Sequence, residues 1–287
     1  VREAHARGLT PVADSLMAKY PWTLVKTSGL DVGVPEDQTG NSELGHQNIG
    51  AGRIVDQEVV RISKACNAGE FAINEAIASA ITNASRAGKA VHLMGIASDA
   101  GVHGLLEHLY GLVRACKKLG ASKVFLHLFT DGRDTPPTSG RGYIAAVEKM
   151  LQHEGLGQIA TLAGRYYAMD RDFRWERVKL AYDALTGRSE QARRFATADQ
   201  AIAEHYENPA SSNLTGDEFL PPRVIGTAEQ VQASRITSGD AVIFYNYRGD
   251  RPREISMAFI LPDAQWAKVK PSPESGTIGF ERGPRVE

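Results

Sequence analysis

Long apolar runs are the first thing this chain lacks. No segment approaches the roughly 20 residues that a membrane-spanning helix needs, and no secretory apolar stretch opens it. Cysteine is nearly absent too. Cys66 and Cys116 each fall in a helical pattern and form no disulfide framework. They are expected to be reduced and buried, as in a cytoplasmic protein. Net charge is also missing: the formal value is −1, which gives no general attraction to nucleic acid or to an anionic membrane. Any anion must therefore be gripped by locally gathered arginines. No internal repeat is present, and low complexity is confined to the Pro/Gly/Ser-rich stretch Pro271 to Pro284, which has the composition of a linker.

What is present suits a globular α/β protein. The 287 residues, 42% apolar and 23% charged, can bury a sizeable core in one or two domains. The chain starts at Val1 rather than methionine, in a charged helix-like segment (Arg2 to Arg7). With the linker-like tail, this gives both ends the look of cut edges, and a piece of a longer protein is expected. From about residue 68 strands and helices alternate. Phe71, Ile73, Ile77 and Ile81 predict a helix by their spacing. Ala90–Ile96, Lys123–Thr130, Gln158–Ala163 and Ala241–Tyr247 predict strands, the first a compact apolar run and the second nearly apolar on both faces, as a buried parallel strand is. Between them, Leu105 to Cys116, Ile144 to Leu151 and Trp175 to Leu185 carry helical apolar faces. The expected fold is α/β with a largely parallel sheet flanked by helices.

The chemistry gathers after the strands. Ser98-Asp99-Ala100-Gly101-Val102-His103 follows the first, and Asp131-Gly132-Arg133-Asp134 follows the second. Arg165 to Asp172, with Arg165 and Arg171, follows the third. Arg248-Gly249-Asp250-Arg251 follows the last. Carboxyl ends of parallel strands line the ligand crevice of an open sheet. Four strand ends thus bring His103, Arg133, Asp134, Arg165, Arg171, Arg248 and Arg251 to one edge. Guanidinium forks match phosphate and carboxylate oxygens, so the implied ligand is a small, multiply charged anion. Each piece has a plain structural alternative: a capping His103, a self-closed turn at Asp131–Asp134, Asp172 capping a helix, a solvated Arg248–Arg251 face. Four strand ends with one chemistry outweigh these. His92 and His127 lie inside strands and are expected to be packed; His108 fits a helix surface. Earlier, Gly40 to Arg53 (GNSELGHQNIGAGR) has almost no apolar periodicity; a flexible surface loop could carry the same composition, but beside the recurring polar loops after the strands it is expected to be a glycine-rich ligand loop presenting Ser42.

These stretches resemble, in order and across nearly the whole chain, the cofactor-independent (2,3-bisphosphoglycerate-independent) phosphoglycerate mutase family. The similar segments are Thr10–Asp14, Gly40–Gln57, His92–His103, Asp131–Pro137, Gly164–Arg171, Thr215–Ile225 and Tyr245–Arg251. The resemblance implies isomerisation of 3-phosphoglycerate and 2-phosphoglycerate in glycolysis and gluconeogenesis, without added bisphosphoglycerate. It implies Ser42 as the nucleophile that becomes phosphoserine and as a metal contact. His103, Arg133, Asp134, Arg165, Arg171, Arg248, Gly249, Asp250 and Arg251 take the substrate-binding positions, with Asp134 a candidate for proton transfer. It implies two domains: residues 1–56 in a partial phosphatase-like, metal-binding domain and residues 57–285 as the phosphotransferase domain. It also implies two manganese ions (magnesium or cobalt in some members) and a cytoplasmic monomer.

The departures are specific. The family's opening Asp-Gly-Trp-Gly-type strand, its Asp-His-Gly-type metal motif and a C-terminal lysine have no counterpart in residues 1–287. Weak or no substrate binding and no turnover are therefore expected of the chain by itself. The alternatives are a non-catalytic phospho-ligand-binding domain, or another phosphomutase of the alkaline-phosphatase superfamily such as a phosphopentomutase.

Overall fold

The computed structural model describes residues 2–189 and 192–286. The chain divides into two compact units, Val1–Val60 and Arg61–Glu287.

The second unit is built on a six-stranded sheet. Its strands are β1 (Val91–Ala97), β2 (Val124–Thr130), β3 (Gln158–Gly164), β4 (Arg193–Phe195), β5 (Arg223–Ile225) and β6 (Ala241–Phe244), in the order β4-β5-β3-β2-β1-β6. β1, β2, β3 and β6 run parallel. β5 runs antiparallel to β3, and β4 pairs parallel to β5. Every residue of β1 and β2 is buried, because helices cover both faces. On one face Val91, Leu93, Leu126 and Leu128 pack with Ile81, Leu109, Val113, Ile144 and Ile202. On the other, Met94, Ile96, Phe129 and Ala163 pack with Val178, Tyr182, Ile255 and Trp266. Each such aliphatic side chain contributes about 1.5–3 kcal/mol of burial, so the central strands are rigid mounts for the loops that leave them.

Several expectations change at the periphery. β4 and β5 are three-residue strands with no periodicity to announce them. The helix expected around Phe71 begins later, at Glu75–Arg86; Phe71 belongs to a preceding 3-10 turn, and Ile73 is exposed. The Pro271–Pro284 stretch is packed rather than linker-like. Trp266 Nε1 donates to Phe280 O at 3.0 Å, and buried Arg282 donates to Ala258 O and to Asp263 Oδ1. The aromatic edges of Trp266 and Phe280 supply the adhesion that its composition hides. Cys116 is fully buried, whereas Cys66 is only half-buried. His92 and His127 are packed, joined Nδ1 to Nε2 at 2.9 Å. His108 is buried instead of lying on a helix surface, with Nε2 2.9 Å from Ser63 Oγ.

In the first unit few apolar side chains are buried (Val34, Leu44 and Val60), and the helix Pro11–Lys19 buries none. The stretch expected as a ligand loop is a helix, Ser42–Ala51. Capping explains it where periodicity could not. Asn41 accepts the Leu44 N–H at 3.1 Å, Glu43 lies in the first turn, and Gly52 ends the helix at φ +62°. Asn48 then ties it down, donating to Val32 O and accepting from Val55 N.

Candidate active site

In the second unit, the carboxyl ends of β1, β2, β3 and β6 carry the expected cluster. Its centre is a residue the sequence reading left out of the site, Asp131. This carboxylate is buried and accepts from Ser98 Oγ at 2.8 Å, from the N–H groups of Arg133 and Asp134 at 3.2 and 3.0 Å, and from Arg165 Nη1 at 2.6 Å. An Asp–Gly pair at a strand end, its carboxylate closing its own turn, was the available signal. Burial opposes its ionisation, but the Asp134 N–H and the Arg165 guanidinium outweigh that and hold the carboxyl below its ordinary range.

Arg165 is equally buried. It spans the ends of three strands, donating to Asp131, to Asp134 Oδ2 at 2.6 Å and to His103 Nε2 at 2.9 Å. That last bond fixes the His103 tautomer: Nε2 accepts, so the neutral ring carries its proton on Nδ1. Burial first, and Arg165 second, lower the His103 pKa to about 4. Its Nδ1 has no hydrogen-bond partner among the described residues and lies 3.9 Å from Asp250 Oδ1. The loop after β6 is anchored to the same histidine, since Tyr247 N donates to His103 O at 2.9 Å.

The remaining arginines are less committed. Asp250 holds Arg171 Nη1 at 2.9 Å and Arg248 Nε at 3.1 Å, both half-exposed. Arg251 donates to Met169 O at 2.9 Å. Burial, then Arg165 and Arg171, lower the Arg251 pKa from its usual value, the mark of a cation crowded by like charge. Arg133 is more than half-exposed and pairs with Glu218 at 3.3 Å. Gly249 lies in the loop between Arg248 and Asp250. Asp172 does not cap the following helix. Asp170 shapes that turn, accepting from the N–H groups of Asp172 and Arg174.

Five arginines thus face four carboxylates (Asp131, Asp134, Glu218 and Asp250). Arg165 commits both terminal nitrogens to the buried cluster and leaves its Nε without a partner among the described residues, while Arg171, Arg248 and Arg251 can redirect their forks to an anion. Close backbone contact keeps the floor in place. A Cβ on Gly164 would meet Glu218 O at 2.2 Å, and Gly132, at φ +66°, has Asp217 Cβ 2.8 Å from the same position.

Ser42, in the first unit, is exposed in the first turn of its helix. Its Oγ lies 3.3 Å from His46 Nδ1, whose closer partner is Ser42 O at 2.6 Å. The helix N-terminus favours negative charge there. Among the described residues no group of three or more His, Cys, Asp or Glu side chains could hold a metal ion. The described residues therefore do not fit a metal pair. Among them, too, no helix is long and apolar enough to cross a membrane.

Comparison with known proteins converges on one family. The profile described as "BPG-independent PGAM N-terminus (iPGM_N)" matches residues 62–280. The 2,3-bisphosphoglycerate-independent phosphoglycerate mutase of Clostridium beijerinckii is 50% identical over 91% of this chain and 49% of its own length. That of Myxococcus xanthus is 46% identical over 88% and 48%. A Leishmania mexicana phosphoglycerate mutase, solved at low cobalt concentration, superposes with a TM-score of 0.72 at 29% identity, covering 96% of this chain and 49% of that one. The chain spans about half the length of the curated relatives it matches. On the family match and these identities, the chain belongs to the 2,3-bisphosphoglycerate-independent phosphoglycerate mutase family.

Proposed function

We propose that this chain supplies the substrate crevice and the phosphoryl-accepting serine of a phosphoglycerate mutase that interconverts 3-phosphoglycerate and 2-phosphoglycerate. The observation that carries the reading is the arginine set at one sheet edge, fixed at its root by the buried Asp131–Arg165–His103 chain. A phosphoglycerate bears a phosphate and a carboxylate, two anions for separate forks. Arg171, Arg248 and Arg251 would grip them, and His103 Nδ1–H would donate to a substrate oxygen.

In the reaction, the substrate's C–O–P linkage breaks at phosphorus and a bond to Ser42 Oγ forms. The serine proton ends on the departing glycerate oxygen, and within the crevice Asp134 is the candidate for proton transfer to and from glycerate. Glycerate turns while the arginines retain its carboxylate. The phosphoryl group then returns to the other hydroxyl, and Ser42 regains its proton. The protein's work is positioning and charge stabilisation. The test is a calorimetric titration of the chain with 3-phosphoglycerate, beside Arg251→Gln.

A further inference from the structure

A second buried acid lies just behind the arginines and is not used by the mechanism above. Glu254 opens the helix Arg253–Ile260, three residues after Arg251, and is 2% exposed. Its Oε1 accepts the Phe173 N–H at 2.9 Å. Phe173 lies two residues beyond Arg171, and its φ of +62° is the one left-handed non-glycine conformation among the described residues. Such a conformation in an aromatic residue is strained and persists only where its surroundings hold it. A second tie runs the opposite way between the same two loops, from Arg251 Nη1 to Met169 O, two residues before Arg171. The loops after β3 and β6 are thus cross-linked on both sides of Arg171.

We propose that Glu254, holding a proton, is a positioning residue that locks the loop bearing Arg171 to the loop bearing Arg251 in the geometry that takes a phosphoglycerate. This rests on the function proposed above. The proton is required by the surroundings. Glu254 Oε2 is buried without a hydrogen-bond partner, and the carboxyl beside it is Asp170, itself buried. Asp170 spends Oδ2 on the N–H groups of Asp172 and Arg174, and Arg174 and Arg177 stand 3.7 and 3.8 Å from its Oδ1. Those two guanidiniums are cations that Glu254 does not share. A proton on Glu254 Oε2 turns an orphaned acceptor into a donor toward that carboxylate. Burial above all, with Asp170 and Asp172 adding to it, pushes the Glu254 pKa up to about 8. The other charges around it are engaged elsewhere or exposed: Arg253 faces solvent, and Lys270 lies 4.8 Å over the Phe173 ring.

The experiment titrates the whole chain with 3-phosphoglycerate by calorimetry, comparing wild type, Glu254→Ala and Glu254→Gln from about pH 7 to about pH 9.5. Glu254→Ala removes the acceptor of a buried N–H and is expected to weaken binding about ten- to hundredfold. The glutamine amide offers Phe173 the same oxygen and Asp170 an N–H donor, so Glu254→Gln is expected to recover binding to within about threefold of wild type. Wild-type affinity falls as Glu254 ionises, and the glutamine variant shows no such fall. A Glu254→Gln variant as weak as the alanine one, or one with the wild-type pH profile, overturns the proposal. Carbon-13 NMR of the Glu254 carboxyl reads the proposal without any ligand. A midpoint near 8 with the Phe173 amide shifting in step supports it; a midpoint near the ordinary 4.5 overturns it. If wild type binds no phosphoglycerate, the function reading fails, and this NMR titration alone decides for or against the clamp. An alanine variant that does not fold leaves the glutamine pH profile and the carboxyl titration as the deciding readouts.

Discussion

Replacing Asp131 by asparagine probes the root of the crevice, and its cost can be worked from the contacts. Asparagine keeps one oxygen, so the three donors on Oδ1 retain an acceptor, and the Ser98 hydroxyl can turn to accept from the new amide. What disappears is charge. Hydrogen bonds to ionised groups contribute about 1.5–3 kcal/mol against about 0.5–1.5 for neutral ones, a loss of about 1 kcal/mol for each of the three. Arg165 also loses one of two carboxylates in a site where both it and Asp131 are 2% exposed. Breaking a buried pair outright costs about 3–5 kcal/mol, and Asp134 remains at 2.6 Å to soften that. The expected loss is about 3 kcal/mol, or about 6–12 °C in Tm for a unit of this size. Urea unfolding followed by tryptophan fluorescence reads it, because Trp175 and Trp266 are buried in the second unit. In a double variant with Arg165→Met, the combined loss should fall short of the sum, since the stranded guanidinium is gone. A loss below about 1 kcal/mol, or strict additivity, would refute the argument that the ion pair anchors the site.

Two further outcomes follow from the same contacts. The His103 ring should stay neutral down to about pH 4 in a carbon-13 NMR titration. Because its folded pKa lies below the ordinary 6.5, the unfolded chain binds the proton first; the stability this group gives is complete above about pH 6.5 and is lost as pH falls toward 4. A midpoint at or above 6.5 would remove the burial and Arg165 explanation. Ser42→Ala, placed in this chain joined to the remaining length of the Clostridium beijerinckii relative, should abolish mutase turnover while leaving the helix Ser42–Ala51 folded by circular dichroism. Retained turnover would exclude Ser42 as the phosphoryl acceptor.

The parts of this architecture that could be read from the sequence are those governed by burial. β1 and β2 announce themselves as continuous apolar runs because helices cover both faces, and parallel pairing then sends their carboxyl ends to one edge. That logic was enough to gather His103, Arg165, Arg171, Arg248 and Arg251. It could not rank them. Whether a guanidinium is held by two carboxylates, like Arg165, or by one, like Arg171, depends on which carboxylates the fold brings near, and Asp131 and Arg165 are separated by another strand and helix. The Ser42 helix was missed for a related reason. It buries only Leu44 and is held by its caps and by Asn48, so apolar periodicity is silent there. The packed tail shows the same limit, since Trp266, Phe280 and Arg282 outweigh its glycines and prolines through contacts no local pattern displays.

The central claim is that the sheet-edge arginines take a phosphoglycerate, and calorimetric titration of the chain with 3-phosphoglycerate tests it most directly. With the family's flanking segments not in this chain, binding is expected to be weak but saturable, weaker still for glycerate lacking the phosphate, and about tenfold lower in Arg251→Gln, the scale of one charge-assisted contact. No saturable heat, or binding that Arg251→Gln leaves untouched, would contradict it.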